Sequence, residues 1–190
     1  MELIRRKKNS RAANNQEGLT IIELMIAMVV LAVGILGSMS LVIMAINGDF
    51  RSKQQSNSTA MAQMVTEKIM SIPAWNNSSL TITDCTTTNY TVSTTGNTTS
   101  AGAGAALTSS GDVDYTQAKV ANYNMAYTDC GTANRQMTYD VRWNIKAIAN
   151  DPYIKILTVS ARLNGVTNGA TSGSLFGPVV TIKTIVGQGT

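Results

Sequence analysis

The chain has 190 residues and a mass of 20.2 kDa, which is enough for one domain with an extension. Five of its 15 lysines and arginines lie in the first eleven residues, and from residue 19 onward ten basic residues face nine acidic ones, so bulk charge indicates no nucleic-acid surface. The sequence has no histidine, which removes the commonest general base and metal ligand. We therefore expect no enzyme, no metal site and no cofactor.

An apolar segment covers residues 19–46, and Glu23 is its only charged residue. About 20 apolar residues in a helix suffice to cross a bilayer, and this segment makes a helix of roughly 40 Å. The basic cluster in front of it favours a cytoplasmic N-terminus. We therefore predict a single-pass helix at residues 19–46 and a head at residues 47–190 outside the cytoplasm.

Two interpretations of Glu23 remain open, because a carboxylate within a membrane helix costs about 2.5–3.5 kcal/mol on insertion scales. It lies five residues into the segment, so its carboxylate can snorkel to the interface. Alternatively, it is kept for a partner charge that is present only after assembly.

Three kinds of N-terminal processing also compete. An ordinary secretory signal has an apolar core of only about 7–15 residues, which is roughly half the length found here. An uncleaved anchor leaves Glu23 unexplained. The third alternative removes a leader before the apolar segment, at Gly18.

The residues around Gly18 resemble a known processing motif. Lys7-Lys8, then Gln16-Glu17-Gly18, then the run LTIIELMIA from Leu19 to Ala27 resemble the prepilin motif of type IV pilins and type II secretion pseudopilins. In that family prepilin peptidase, a membrane enzyme, cuts after the glycine and methylates the new terminal amine. The resemblance therefore implies a leader peptide at residues 1–18 and a mature chain that begins at Leu19, where the family usually has phenylalanine or methionine.

The same resemblance implies a role for Glu23, which is expected to pair with the terminal amine of a neighbouring subunit in a filament. That role supplies the missing partner charge. The implied partners are prepilin peptidase, other pilin subunits, the pilus assembly platform and, before assembly, the inner membrane. We expect no nucleic acid among them.

A second helical pattern runs from Asp49 to Ile72. One apolar stripe follows the helical spacing, formed by Met61, Val65, Ile69 and Ile72. Pro73 ends the pattern. We therefore predict one long helix, apolar all round in its first half and packed on the head in its second. Gly34 and Gly37 indicate close helix packing in the membrane or, by the resemblance, a hinge.

Residues 76–111 are rich in Thr, Ser, Asn and Gly. We predict a polar loop with one short strand, at residues 80–82 or at residues 90–92. Gly102-Ala103-Gly104 lies in this tract and is interpreted as a linker, since no strand precedes it.

Cys85 and Cys130 are the only cysteines. Two cysteines in a segment outside the cytoplasm most often pair, so we predict a disulfide worth about 3–4 kcal/mol in the chain-entropy model. Asp112, Asp114 and Asp129 offer oxygen ligands for calcium, but their spacing fits no complete loop. No metal site is predicted from them.

The last third of the chain has the pattern of three strands. Apolar residues alternate with polar ones from Met137 to Lys146 and from Leu157 to Leu163, and a third strand lies between Pro178 and Val186. We predict an α+β fold, in which the long N-terminal helix packs on a C-terminal antiparallel β-meander whose other face is in water.

This layout is the architecture that the pilin resemblance implies. Residues 139–143, 155–163 and 179–186 also resemble, more loosely, the C-terminal region of PilV-type minor pilins. The leading hypothesis is a minor pilin that helps to initiate, cap or modify a type IV pilus, and the alternative is a pseudopilin of a type II secretion system. A third hypothesis is a single-pass membrane protein whose head binds a ligand without polymerising, which predicts an uncut Gly18 and a neutral Glu23→Ala.

Overall fold

The computed structural model describes residues 20–131, 136–164 and 178–187. It divides into two compact units, Met1–Ile46 and Asn47–Thr190, which are described separately below. A single helix, α1 (Ile21–Met70, 50 residues), contributes to both units. The expected leader at 1–18 and Leu19 lie outside the described residues.

In the first unit, α1 is apolar on all sides and its large side chains are exposed. Its mean hydropathy reaches 2.6, and the helix is long and apolar enough to cross a membrane. Ser38 and Ser40 direct their hydroxyls to carbonyl oxygens of the preceding turn, those of Ile35 at 2.8 Å and Leu36 at 3.4 Å. These contacts satisfy the only hydroxyls of residues 21–46 within the helix itself.

In the second unit, α1 has one buried face. Its members recur at helical spacing and are Gln54, Ser58, Ala62, Val65, Thr66 and Ile69. The predicted apolar stripe is therefore partly correct. Val65 and Ile69 belong to the buried face, whereas Met61 and Ile72 are only half-buried. Polar residues extend the contact towards the N-terminal side, where apolar spacing gives no signal.

In the described part of the chain, seven strands follow α1. They are β1 (Ser79–Thr83), β2 (Asn89–Ser93), β3 (Ala103–Gly104), β4 (Asn124–Cys130), β5 (Gln136–Ile148), β6 (Asp151–Leu163) and β7 (Val180–Gly187). β1 and β2 form an antiparallel hairpin. The other five form one antiparallel sheet in the order β3-β5-β6-β7, and β4 also pairs with β5.

The predicted α+β fold and the antiparallel meander are confirmed, with β5, β6 and β7 adjacent in the sheet. The core lies between α1, the hairpin and the inner face of this meander. Its largest fully buried side chains are those of Tyr139, Trp143, Met125, Ile145 and Leu157. Trp143 donates its indole N–H to the carbonyl of Ser93 at 3.1 Å, which joins the hairpin to the sheet.

The hairpin corrects the prediction for residues 76–111, where one short strand was expected at either of two places. Both places form strands, and they pair with each other from Ser79↔Ser93 to Thr83↔Asn89. Ile82 and Val92 are buried on the inner face, while Thr81, Thr83 and Thr91 beside them are exposed. Each strand is too short to be stable alone, because it buries too little apolar area. Pairing in the hairpin gives each strand the partner that it needs.

The outer face of β5 also differs from the prediction, which placed it in water. Asp140, Arg142 and Asn144 are only 2–5 % exposed, because residues 101–123, here called the covering segment, lie over them. Asn144 donates its side-chain amide to two carbonyls of this segment, those of Ala101 at 2.9 Å and Ala105 at 2.8 Å. Alternating polarity had indicated water, but these polar side chains have protein partners.

One buried carboxylate organises the covering segment. Asp140 accepts two hydrogen bonds from the Arg142 guanidinium, at 3.2 and 3.0 Å, and forms ion pairs with Lys119 at 3.3 Å and Arg162 at 3.6 Å. The Tyr115 ring stacks on the guanidinium groups of Arg142 and Arg162, 4.7 and 4.1 Å from its centroid. Burial is the main reason that the pKa of Tyr115 is raised to about 12.

The interpretation of Gly102-Ala103-Gly104 as a linker was wrong. Ala103 and Gly104 pair with Ile145 and Asn144 of β5. Gly104 has φ +107°, and a Cβ there would lie 2.5 Å from the Trp143 carbonyl oxygen. The glycine is needed because the covering segment approaches the β5 backbone too closely for a side chain.

Candidate functional site

The first turn of α1 contains Glu23, the residue for which the sequence analysis predicts a role in assembly. Thr20 donates its backbone N–H and its hydroxyl to one oxygen of Glu23, both at 3.0 Å. The Glu23 backbone N–H donates in return to the Thr20 hydroxyl at 3.3 Å. This reciprocal arrangement is a capping box, in which the two side chains satisfy backbone donors that the start of a helix leaves free.

The capping box shows how the helix start accommodates the Glu23 carboxylate. Its hydrogen bonds among the described residues come from Thr20, a neutral group, and the ionised carboxylate also lies at the helix end favoured by the helix dipole. Neither Thr20 nor the helix dipole neutralises the negative charge of the Glu23 carboxylate. A cation brought close to this carboxylate in an apolar environment would therefore gain far more than it would in water.

The side chains that follow Glu23 present apolar surface in every direction. Large apolar residues from Ile21 to Ile46 are 48–82 % exposed. A helix that is apolar all round is buried either in lipid or among other helices. The Gly34 and Gly37 positions leave open space on this surface, since an added Cβ at either would meet nothing within 4 Å.

The predicted cleavage site, Gly18 and Leu19, lies outside the described residues. Cleavage after Gly18, methylation of the new amine and the pairing of Glu23 with a neighbouring amine therefore stay predictions.

Cys85 and Cys130 are joined by a disulfide with a Cα–Cα distance of 5.8 Å. Cys85 follows β1 and Cys130 ends β4, so the bond ties the turn of the hairpin to the sheet. Both cysteines are exposed, as expected for a structural bond at the rim of the head and outside its core.

Asp84, next to this disulfide, collects several donors. Its carboxylate accepts hydrogen bonds from the backbone N–H groups of Thr86 and Thr88, both at 2.9 Å, and from that of Thr128 at 3.4 Å. Burial acts to raise the pKa of Asp84, but the hydrogen bonds from Thr86, Thr88 and Thr128 outweigh it and the pKa is lowered. The carboxylate thus links the hairpin turn to β4 beside the covalent bond.

Two of the three aspartates considered as calcium ligands have other partners in the structure. Asp112 pairs with Lys183 at 3.0 Å, and Asp114 accepts hydrogen bonds from Thr116. Among the described residues no three His, Cys, Asp or Glu side chains come close enough to hold a metal ion.

The prediction from sequence missed Lys155, although a signal was present. On β6 it shares its side with Leu157 and Val159, so the strand period places it inward. Its side chain is 7 % exposed, and the amine donates to the Asn77 side-chain oxygen at 2.8 Å and the Thr94 carbonyl at 3.0 Å. Burial lowers the pKa of Lys155.

Comparison with known proteins identifies the N-terminal segment. Residues 13–39 match the family model of the prokaryotic N-terminal methylation motif, which is typical of type IV pilins and pseudopilins. No curated protein and no solved structure gives a significant match to the chain. The motif indicates a type IV pilin-like or pseudopilin protein that is processed by prepilin peptidase, and the single apolar helix is consistent with membrane anchoring.

Proposed function

We propose that this chain is a minor pilin, a structural subunit that helps to initiate, cap or modify a type IV pilus. Prepilin peptidase removes residues 1–18 by cutting after Gly18 and methylates the amine of Leu19. The observation that carries the proposal is the methylation motif at residues 13–39, which overlaps the exposed apolar part of α1, residues 21–46, where Glu23 is the one charged residue.

Before assembly the subunit spans the inner membrane once, with a cytoplasmic N-terminus and a periplasmic head. The cluster of five basic residues in the leader supports this orientation. After cleavage the helix leaves lipid and packs against the helices of other pilin subunits on the pilus assembly platform. Its apolar surface then has protein neighbours in place of acyl chains, and the filament is held by close packing.

Glu23 fixes the register of this packing. In the isolated subunit its carboxylate is held by Thr20 at the start of α1. In the filament the terminal amine of a neighbouring subunit provides the positive charge that the capping box lacks. Because both groups are in an apolar environment, a subunit docked out of register leaves two charges unpaired, which costs several kcal/mol.

Three observations support a minor pilin over a pseudopilin, which shares the N-terminal motif. The head has a disulfide and a long Thr-rich region between α1 and β4, and both are less usual among pseudopilins. The strands β5, β6 and β7 coincide with the segments that resemble PilV-type minor pilins. Ser40 stands where many major pilins carry a helix proline, which favours a minor subunit.

Mass spectrometry of the protein from its native membrane tests the proposal. We expect a chain that begins at Leu19, one methyl group heavier and two hydrogens lighter than the unmodified mature sequence. Replacement of Gly18 by a bulkier residue should leave only the longer precursor. A native chain that begins at Met1, or one cut after residue 46, would refute the assignment.

Incorporation into filaments tests the role of Glu23. Glu23→Ala should be processed normally but be lost from sheared pilus fractions, because its neighbour's amine is left without a partner. The matched control is Glu67→Ala, which removes an exposed carboxylate from the same helix and should assemble normally. Equal recovery of both variants in filaments would contradict the role assigned to Glu23.

A further inference from the structure

An open groove lies on the head just beyond the end of α1. One wall is the turn from Ala74 to Asn77, which follows Pro73, and the opposite wall is the β5–β6 turn with Asn150 and Asp151. Lys155 lies at its base. The groove encloses about 370 Å³, at the lower end of the range of roughly 300–1,000 Å³ that ligand pockets occupy.

Trp75 gives the groove an aromatic surface that the fold does not require. Its side chain is 53 % exposed, whereas its neighbour Ala74 and the other tryptophan, Trp143, are 2 % and 0 % exposed. An indole left half in water forgoes much of the free energy that its burial would supply. Trp75 therefore offers a flat apolar face to a molecule that enters the groove.

The wall that carries Trp75 is held in place from below. The Lys155 amine donates to the side-chain oxygen of Asn77 at 2.8 Å and approaches the Asn76 carbonyl at 3.5 Å. The Thr94 hydroxyl donates to the carbonyls of Ser78 and Asn76. Since the oxygen of the Asn77 amide is already engaged by Lys155, its NH₂ group remains to donate to a ligand.

The opposite wall supplies an acceptor. One oxygen of the Asp151 carboxylate accepts the backbone N–H of Tyr153 at 2.9 Å, which fixes the side chain and leaves the second oxygen for a ligand. The β5–β6 turn behind it is tight, with Asn150 at φ +67°. Both walls are thus set before any ligand arrives, so little ordering cost is left for binding.

The charges around the groove limit what it can bind. Asp151 opposes an anion, and the positive charge of Lys155, a lining residue of the groove, opposes a cation. A neutral molecule whose hydroxyls both donate and accept hydrogen bonds meets neither penalty. Its hydroxyls match the Asn77 amide and the Asp151 carboxylate, and an apolar ring face matches Trp75.

We propose that this groove binds a neutral saccharide, with a sugar ring stacked on Trp75 and its hydroxyls bonded to Asn77 and Asp151. This activity goes beyond the structural role proposed above and depends on the head alone. Its test therefore requires no assembly, and its failure would leave the filament role untouched.

The test uses the full chain in lipid nanodiscs, because glycoside detergents would compete for the groove. The labelled protein is applied to an array of neutral, acidic and amine-bearing glycans, and soluble versions of the bound glycans are then titrated by calorimetry. We expect saturable binding of at least one neutral glycan and none that depends on a charged group.

Variants locate the binding to the groove. Trp75→Ala should weaken it about tenfold or more through loss of the stacking surface, and Asn77→Ala should weaken it less. Ile185→Ala is the control, since it removes an apolar side chain that is 66 % exposed on β7, outside the groove, and should leave the affinity unchanged. The fluorescence of buried Trp143 reports that each variant is folded. Failure of every neutral glycan to bind, binding of charged glycans only, or unchanged affinity in Trp75→Ala would overturn the proposal.

Discussion

Replacement of Gly104 by alanine tests whether the covering segment is part of the fold or a removable loop. Gly104 has φ +107°, and an added Cβ would lie 2.5 Å from both the Trp143 carbonyl oxygen and the Tyr123 ring. Neither neighbour is free to move, because Trp143 is in the middle of β5 and fully buried and the Tyr123 hydroxyl donates to the Thr95 carbonyl at 2.8 Å.

The expected loss follows from two costs. At a positive φ, a residue with a side chain destabilises the folded state by about 1–3 kcal/mol. Forcing an extra methyl group into a packed contact destabilises it by about 1–3 kcal/mol more. We therefore expect Gly104→Ala to reduce the free energy of unfolding by about 3–4 kcal/mol. That is a large fraction of the roughly 5–15 kcal/mol that stabilises an ordinary domain.

Two other glycines separate these costs. Gly111 also has a positive φ, +77°, but its nearest neighbour to an added Cβ is the flexible Lys183 amine at 3.5 Å, so Gly111→Ala should cost about 1–2 kcal/mol from backbone strain alone. At Gly187 the nearest atom is 3.9 Å away, and Gly187→Ala should be neutral or slightly stabilising.

The assay is urea unfolding of the full chain in micelles, followed by the fluorescence of buried Trp143. The three variants should rank with Gly104→Ala least stable and Gly187→Ala most stable, with unchanged denaturant slopes. Equal stability of Gly104→Ala and Gly187→Ala would refute the argument, because it would mean that the covering segment does not press on β5.

Three further predictions concern the head. Replacing both Cys85 and Cys130 by serine should reduce the free energy of unfolding by about 3–4 kcal/mol, measured by urea unfolding of the variant and of the reduced wild type. Asp140→Asn should cost about 3–5 kcal/mol, because it leaves buried Arg142 without its carboxylate, and thermal unfolding should show it. Stability should fall in acid, since the lowered pKa of Asp84 gives a contribution that is present above its ordinary value of 3.8 and lost as pH drops through the folded pKa.

Controls accompany each of these. Asp49→Asn breaks an ion pair with Lys53 whose side chains are both well exposed, so it should cost less than about 1 kcal/mol, and a similar cost for Asp140→Asn would contradict the buried network. Asp84→Asn should show a shallower loss of stability below pH 3.8. If Asp84→Asn and the wild-type chain lost stability in acid to the same extent, groups other than Asp84 would be responsible for that loss. Unfolding that is insensitive to reductant would contradict the role of the disulfide.

Several features of this protein follow from local pattern alone. Continuous apolar residues from 19 to 46 and the stop at Pro73 predict one long helix, which the structure ends at Met70. Strict alternation at Tyr139 and Val141 predicts a strand, and it is one. These inferences succeed because helix and strand periods are properties of neighbouring residues along the chain. The methylation motif is equally local, since a peptidase reads it as a linear segment.

Other features depend on residues far apart in the chain, and the tertiary structure alone decided them. The polar side of β5 has the pattern of a surface in water, but Asp140 and Asn144 are covered by residues about 25–45 positions earlier. The sequence around Gly104 has the composition of a linker, and only the structure shows that Gly104 pairs with β5. Alternation reports which side chains are polar, not whether water or another segment of the protein satisfies them. That choice is made only when the covering segment folds onto β5, where its carbonyl and cationic groups replace water around the buried polar side chains.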